Sequence, residues 1–355
     1  MTTGDNVAKH VAMASVATGS GAALGADEVR ASAGDGRSAA AARSPAKRDF
    51  ALAWGLAGAV LCVDLAWFPL SRLRIADPPT FLADLAIILS IVVCYLALFG
   101  LHWYLGDDTH RMARVMSRVS ERSALVVHGF IFLIVLFGSV VGFTYLAASI
   151  GWPLRDAQLA LIDRWLGFDW PGFLAFSNSN ALWARVLVLA YDSSGPQLIL
   201  LYLLLGLAGH RARLAELSLL LSLTAVATVL LFLVVPAAGA YAHYAPDARL
   251  FNHLDPKAGM WHFDILLGLR NDAAPSFAFE GSQGMVVFPS FHTMLAMLMP
   301  YAVRDVRRLF LPVAALNVLV IVSTVPEGGH HLIDVIAGIA ITCAAIALVR
   351  RYSRI

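Results

Sequence analysis

The sequence predicts an all-α fold, a polytopic transmembrane helix bundle of about eight spans. Composition is the first reason: of 355 residues, 59% are hydrophobic and only 14% charged, against about 45–50% and 25% in soluble domains. The second is a mean hydropathy of +0.72. The third is that the apolar residues come in long runs, which a large soluble core does not need but a hydrocarbon layer of about 30 Å does. The net charge is +2, and no basic tract is interleaved with aromatics. The expected partner is therefore the bilayer and not nucleic acid.

Residues 1–48 are rich in Ala, Gly and Ser and nearly lack large apolar side chains. Such a segment cannot offset the entropy of ordering itself, so a disordered tail is expected. No apolar run follows a short basic start, so it does not read as a secretory signal. The expected spans are 50–71, 80–104, 124–150, 183–208, 214–237, 289–303, 308–324 and 331–349. The sixth and seventh are short for a bilayer, which suits helices that start below the surface in a cavity. The fourth is interrupted by Asp192-Ser193-Ser194-Gly195-Pro196, and broken helix at membrane depth is tolerated where it is buried or lines water. Cys62, Cys94 and Cys343 sit inside apolar runs without CxxC spacing and read as small apolar residues.

Positive charge orients the bundle. Arg111, Arg114, Arg118 and Arg122 occupy the connection 105–123; Arg211 and Arg213 follow the fourth span; Arg304, Arg307 and Arg308 follow the sixth; Arg350, Arg351 and Arg354 end the chain. With eight spans these and the tail fall on one side, expected to be cytoplasmic, with both termini. High alanine content fits a bacterial inner membrane. The long connections 151–182 and 238–288 fall opposite. In the first, Leu159, Ile162 and Leu166 recur at helical spacing beside Trp165 and Trp170, which reads as an amphipathic surface helix with interfacial tryptophans. No chemistry is expected of it.

Two stretches carry chemistry, Phe288-Pro289-Ser290-Phe291-His292-Thr293 and Gly328-Gly329-His330-His331-Leu332-Ile333-Asp334. The expected topology puts both at the same, non-cytoplasmic face. His330 and Asp334 are four apart, on one helix face. A carboxylate bonded to one imidazole nitrogen fixes the tautomer and leaves the other nucleophilic. His292 comes from another helix, and a nucleophile opposite a proton donor is what in-line displacement at phosphorus needs. Ser290 and the N–H groups opening the sixth span can bind phosphoryl oxygens. A buried carboxylate inside a span is costly and usually functional or paired. His243, His253 and His262 read as ordinary interfacial histidines.

These residues resemble the type 2 phosphatidic acid phosphatase (PAP2) superfamily, through its Pro-Ser-x-His and His-x-x-x-Asp stretches. The form here is similar to the branch of inositol phosphorylceramide synthases and their bacterial relatives. The similarity runs over about 150–349. It implies a six-span PAP2-like catalytic domain at 124–355, with the helices of 49–123 as accessory additions. It implies that His330 is the nucleophile forming a phosphohistidine, that Asp334 orients it, that His292 protonates the leaving group, and that Ser290 contacts the phosphoryl group. It also implies turnover without metal or other cofactor. The expected activity is a phosphatase or phosphotransferase acting on a lipid phosphate or phosphodiester, with water, inositol or another alcohol as acceptor.

This sequence departs from the common pattern at several places. Phe291 stands where the phosphatase form has Gly, which favours the synthase-like branch. Ser323 and Thr324 stand where the third motif has Ser-Arg, and Lys-x6-Arg-Pro is not found. A phosphate still needs cationic partners; Arg270 and then Lys257 are the substitutes, with Ser323 at the third-motif position. His331 is an alternative nucleophile, less favoured because four residues on is Val335. Two other readings stand beside the enzyme: a transporter built on the broken fourth span, and a non-catalytic lipid-binding relative.

Overall fold

The computed structural model describes residues 45–105, 110–255, 257–278, 282 and 284–352. The expected tail lies outside them except for 45–48, as does Arg354. The bundle belongs to the unit Asp49–Ile355. In chain order the helices are α1 (Pro45–Leu70), α2 (Pro78–Leu105), α3 (Arg111–Ser149), α4 (Asp156–Trp165), α5 (Trp170–Ser177), α6 (Ala181–Asp192), α7 (Ser194–Leu207), α8 (Arg211–Val234), α9 (Ala240–Tyr244), α10 (Phe263–Asn271), α11 (Phe291–Ala302), α12 (Arg307–Ser323) and α13 (Leu332–Tyr352). Two short strands, β1 (Arg74–Ile75) and β2 (Ser276–Phe277), pair in parallel.

Helices α1, α2, α3, α8 and α13 are long and apolar enough to cross a membrane, and the α5–α6 pair, bent by 105°, could be a sixth span. The expected spans at 183–208, 289–303 and 308–324 are built from shorter helices. α6 and α7 part at Ser193, inside the polar interruption. α11 starts at the Ser290 cap and has 12 residues, about 18 Å of helix at 1.5 Å per residue. α3 runs for 39 residues and absorbs most of the expected connection 105–123, because a polar helix can extend past an apolar span without any break in its backbone bonds. The boundary expected at 123/124 therefore falls within one helix.

The core lies where α3, α7, α8, α11 and α13 meet, around Phe132, Leu136, Tyr202, Leu217, Leu221 and Phe232. Buried hydroxyls there are bonded inside the bundle, as apolar surroundings require: Tyr202 Oη and Ser218 Oγ are 2.9 Å apart. The three cysteines are free and lie on the outside of the bundle. At one end, Glu216 of α8 accepts from Arg213 at 2.9 Å and from Arg304 at 2.8 Å. This puts the connections after α7 and α11 at one end. α8 finishes at the other end, where Ala238, Gly239 and Ala240 bond to α4 and to the segment before α13.

Candidate active site

The last helix begins with a crowded turn. His330 is 3% exposed and Asp334 fully buried. His330 Nδ1 lies 3.3 Å from Asp334 Oδ2, which also accepts the backbone N–H of His331 at 2.8 Å. The i,i+4 relation expected from spacing is therefore realised, with His330 just ahead of α13 and Asp334 in its first turn. Gly329 has φ +65°, a backbone that side chains disfavour, and its carbonyl accepts from Ala240 N at 2.8 Å.

The second stretch joins the first through the backbone: Ser290 N donates to Asp334 O at 3.0 Å. Ser290 is fully buried and caps α11, its Oγ accepting from Thr293 Oγ1 at 3.0 Å. His292 stacks on Tyr191 with ring centroids 4.4 Å apart, and Tyr191 Oη lies 3.3 Å from His292 Nδ1. Tyr191 also faces the loop that carries His330. A Cβ on Gly328 would sit 2.8 Å from His330 Cδ2 and 3.1 Å from Tyr191 Cε2. The break after α6 therefore leaves Tyr191, one residue before Asp192, beside both histidines.

The proposed phosphate partners are less concentrated. Arg270 donates to the carbonyls of Gly151 (3.3 Å) and Trp152 (2.7 Å). Lys257 is exposed in the 238–288 connection. Ser323 is buried with its Oγ donating to Val320 O of its own helix. Among the described residues, no hydrogen bond or ion pair links these three side chains to His330, His292 or Asp334.

The connection 151–182 corrects its expectation. It does contain an amphipathic helix, and Trp165 is 78% exposed, but Trp170 is fully buried and donates to His330 O at 3.1 Å. The buried face of α4 is Asp156, Leu159, Ala160 and Asp163, whereas Leu166 is exposed. Asp163 accepts the first N–H groups of α13, Leu332 at 2.8 Å and Ile333 at 2.9 Å, so a carboxylate meets the positive end of the helix. Asp156 accepts from Ala238 and Gly239. Burial works against its charge, but His331 and those two N–H groups hold its carboxyl below the usual range. The signal in the sequence was the i, i+3, i+4, i+7 row itself, closed at each end by an aspartate.

Two more residues read as ordinary from sequence belong to the surroundings. His262 is 9% exposed, not interfacial; its Nε2 lies 3.1 Å from Ala238 O, and burial pulls its imidazole below the usual range. Glu327, three residues before His330, has a buried Oε1 without a hydrogen-bond partner. Burial, then the charges of Asp192 and Asp255, push its carboxyl up to about 7.

Chemically, an imidazole that donates its Nδ1–H in a hydrogen bond to a buried carboxylate keeps a lone pair on Nε2. A second imidazole, His292, is held by Tyr191 on the helix that Ser290 joins to Asp334. That pair can attack and protonate around one phosphorus. A sequence model of the PAP2 superfamily matches residues 157–348, more than half of the chain, from the second residue of α4 into α13. Comparison with curated proteins and with solved structures returned no match.

Proposed function

The chain belongs to the PAP2 superfamily, and we propose that it is a metal-independent phosphatase or phosphotransferase acting on a lipid phosphate or phosphodiester within the membrane. The observation that carries this is the His330–Asp334 pair at 3.3 Å, buried at the start of α13 and joined to the His292 helix through Ser290. His330 Nε2 attacks phosphorus while the bond to the lipid oxygen breaks, and His292 gives that oxygen a proton. The phosphoryl group is then on His330. Water or an alcohol attacks it in turn, losing its proton to His292 and restoring both imidazoles. Asp334 stabilises the charged His330 that forms on attack.

His331 is the weaker candidate for nucleophile, because it is fully buried between two aspartates. Ser290 and the N-terminus of α11 are the proposed phosphoryl contacts. Arg270 is the proposed cation, exchanging its carbonyl partners for phosphate, with Lys257 as the second and Ser323 as a further polar contact. Phe291, which packs edge-on against Phe137 at 5.9 Å, supports the synthase-like branch, in which inositol or another alcohol replaces water. In this reading α1 and α2 are accessory helices, and the site faces away from the basic, cytoplasmic end of a bacterial inner membrane. Tyr191, in the last turn of α6 beside the α6–α7 break, neighbours His292, which supports the enzymatic reading over a transporter.

The test is phosphate release in EDTA from phosphatidate, polyprenyl phosphates and sphingolipid phosphates, with and without inositol, wild type beside His330→Ala. Release or transfer by wild type alone is expected. Activity lost in EDTA and restored by a divalent metal contradicts the proposal.

A further inference from the structure

His331 has no part in the displacement, yet it is fully buried and neither ring nitrogen makes a hydrogen bond. Its Nδ1 lies 3.6 Å from Asp163 Oδ2 and its Nε2 3.8 Å from Asp156 Oδ1. A neutral imidazole has one N–H and one lone pair. Between two carboxylates, that lone pair would face an anion. The imidazolium presents an N–H to each side, so the geometry fits the charged form. The other groups facing His331 are Asp334 from α13 and, from α9, His243 at 6.1 Å and Tyr244 at 6.3 Å between ring centroids. His330, next in the chain, is faced by Asp334, His292, His262 and Tyr191.

The same two aspartates hold backbone. Asp163 takes the N–H groups of Leu332 and Ile333, and Asp156 those of Ala238 and Gly239. Tyr241 Oη donates to Pro326 O at 2.6 Å, Ala240 N to Gly329 O, and Trp170 Nε1 to His330 O. The segment from Pro326 to Ile333 is thus fixed repeatedly, with His331 at the centre. Asp156, Asp163 and Asp334 would together place three carboxylates beside a site for an anionic phosphate. A charged His331 offsets one of them.

We propose that His331 is a positioning residue: an imidazolium locked between Asp156 and Asp163 that holds the Pro326–Ile333 segment, and with it His330, in register and offsets carboxylate charge next to the reacting phosphate. The functional half of this rests on the phosphoryl-transfer reading. The lock itself does not, so the experiment has a substrate-free arm.

Protein labelled with ¹⁵N-histidine is placed in nanodiscs without substrate, and its ring nitrogens are followed near neutral pH. The expected result is that the signal abolished by His331→Asn is doubly protonated in wild type. In His331→Asn the His330 ring signals shift and broaden, because the segment that carries His330 loses its lock. Asp156→Asn in the same chain reverses that change in part, since it removes one of the two buried carboxylates left without a cation. In the second arm, single-turnover phosphorylation by labelled phosphatidate falls by about 10–100-fold in His331→Asn and recovers in part in the double variant. A His331 with one bare nitrogen, or a His330 signal that His331→Asn leaves unchanged, overturns the inference. A wild type that never phosphorylates His330 contradicts the enzymatic reading alone, and the nitrogen signals still decide the lock.

Discussion

Helices α2 and α13 are both apolar enough to cross a membrane, yet they are specified in different ways. α2 buries no residue and packs chiefly against α3; Leu82, Leu89, Val93 and Trp103 all face outward. α13 buries one stripe, Asp334, Val335, Gly338, Thr342, Ala345 and Val349, and its first turn is bonded to α4, α11 and the Pro326–His331 segment. Lipid is a tolerant solvent for the first helix. The second must satisfy every polar group within the protein, because nothing in hydrocarbon will do so. Hydropathy alone does not separate them; buried polar contacts do.

Substitutions can break or sharpen that contrast. His330→Ala should have the largest effect, lowering turnover by roughly 10⁴-fold or more, as loss of a nucleophile does, with Asp334→Ala close behind. His292→Ala should cost about 10²–10⁴-fold, the range of a lost general acid–base. All three are read as phosphate release by folded protein in nanodiscs. Trp170→Phe removes the bond to His330 O while keeping most of the ring. Thermal unfolding should show a loss of about 1 kcal/mol, and turnover should fall less than in His292→Ala.

Glu327→Gln tests the same region by pH. Burial raises the Glu327 carboxyl to about 7 in the folded protein, against its ordinary 4.5. The folded state therefore holds a proton that the unfolded chain releases above about 4.5, and wild type loses stability as pH rises from there to about 7. Gln has no proton to lose. The variant should be the more stable protein above about pH 7, and its advantage should vanish below about 4.5; melting temperatures across that range check it. Leu89→Ala, on the lipid face of α2, should change stability by less than about 0.5 kcal/mol. A larger loss there would mean that α2 is packed against something in solution.

This contrast also explains what was legible in the sequence. The α1, α2, α3, α8 and α13 spans follow from apolar runs, and the His330–Asp334 and Ser290–His292 groupings follow from short-range spacing. Helix ends were less visible: α3 continues through Arg111 to Arg122 because helix persists where hydropathy fails. The α4 aspartates were not assigned a role, since their partners, Leu332 and Ile333 for Asp163 and Ala238 and Gly239 for Asp156, lie far along the chain. Trp170 was misread for the same reason. On an isolated helix an Asp or Trp looks like a surface residue, and only the fold brings the N-terminus of α13 to it. Tyr191 was hidden by the break beside it, which was read as a possible carrier site.

The most direct test of the central claim is chemical trapping of the intermediate. Purified protein in nanodiscs is mixed with ³²P-labelled lipid phosphates in EDTA, quenched within a single turnover and mapped. The account predicts acid-labile phosphate on His330, absent in His330→Ala and longer-lived in His292→Ala, where its hydrolysis lacks a base. Phosphate on another residue, or turnover by wild type without any covalent intermediate at His330, would contradict it.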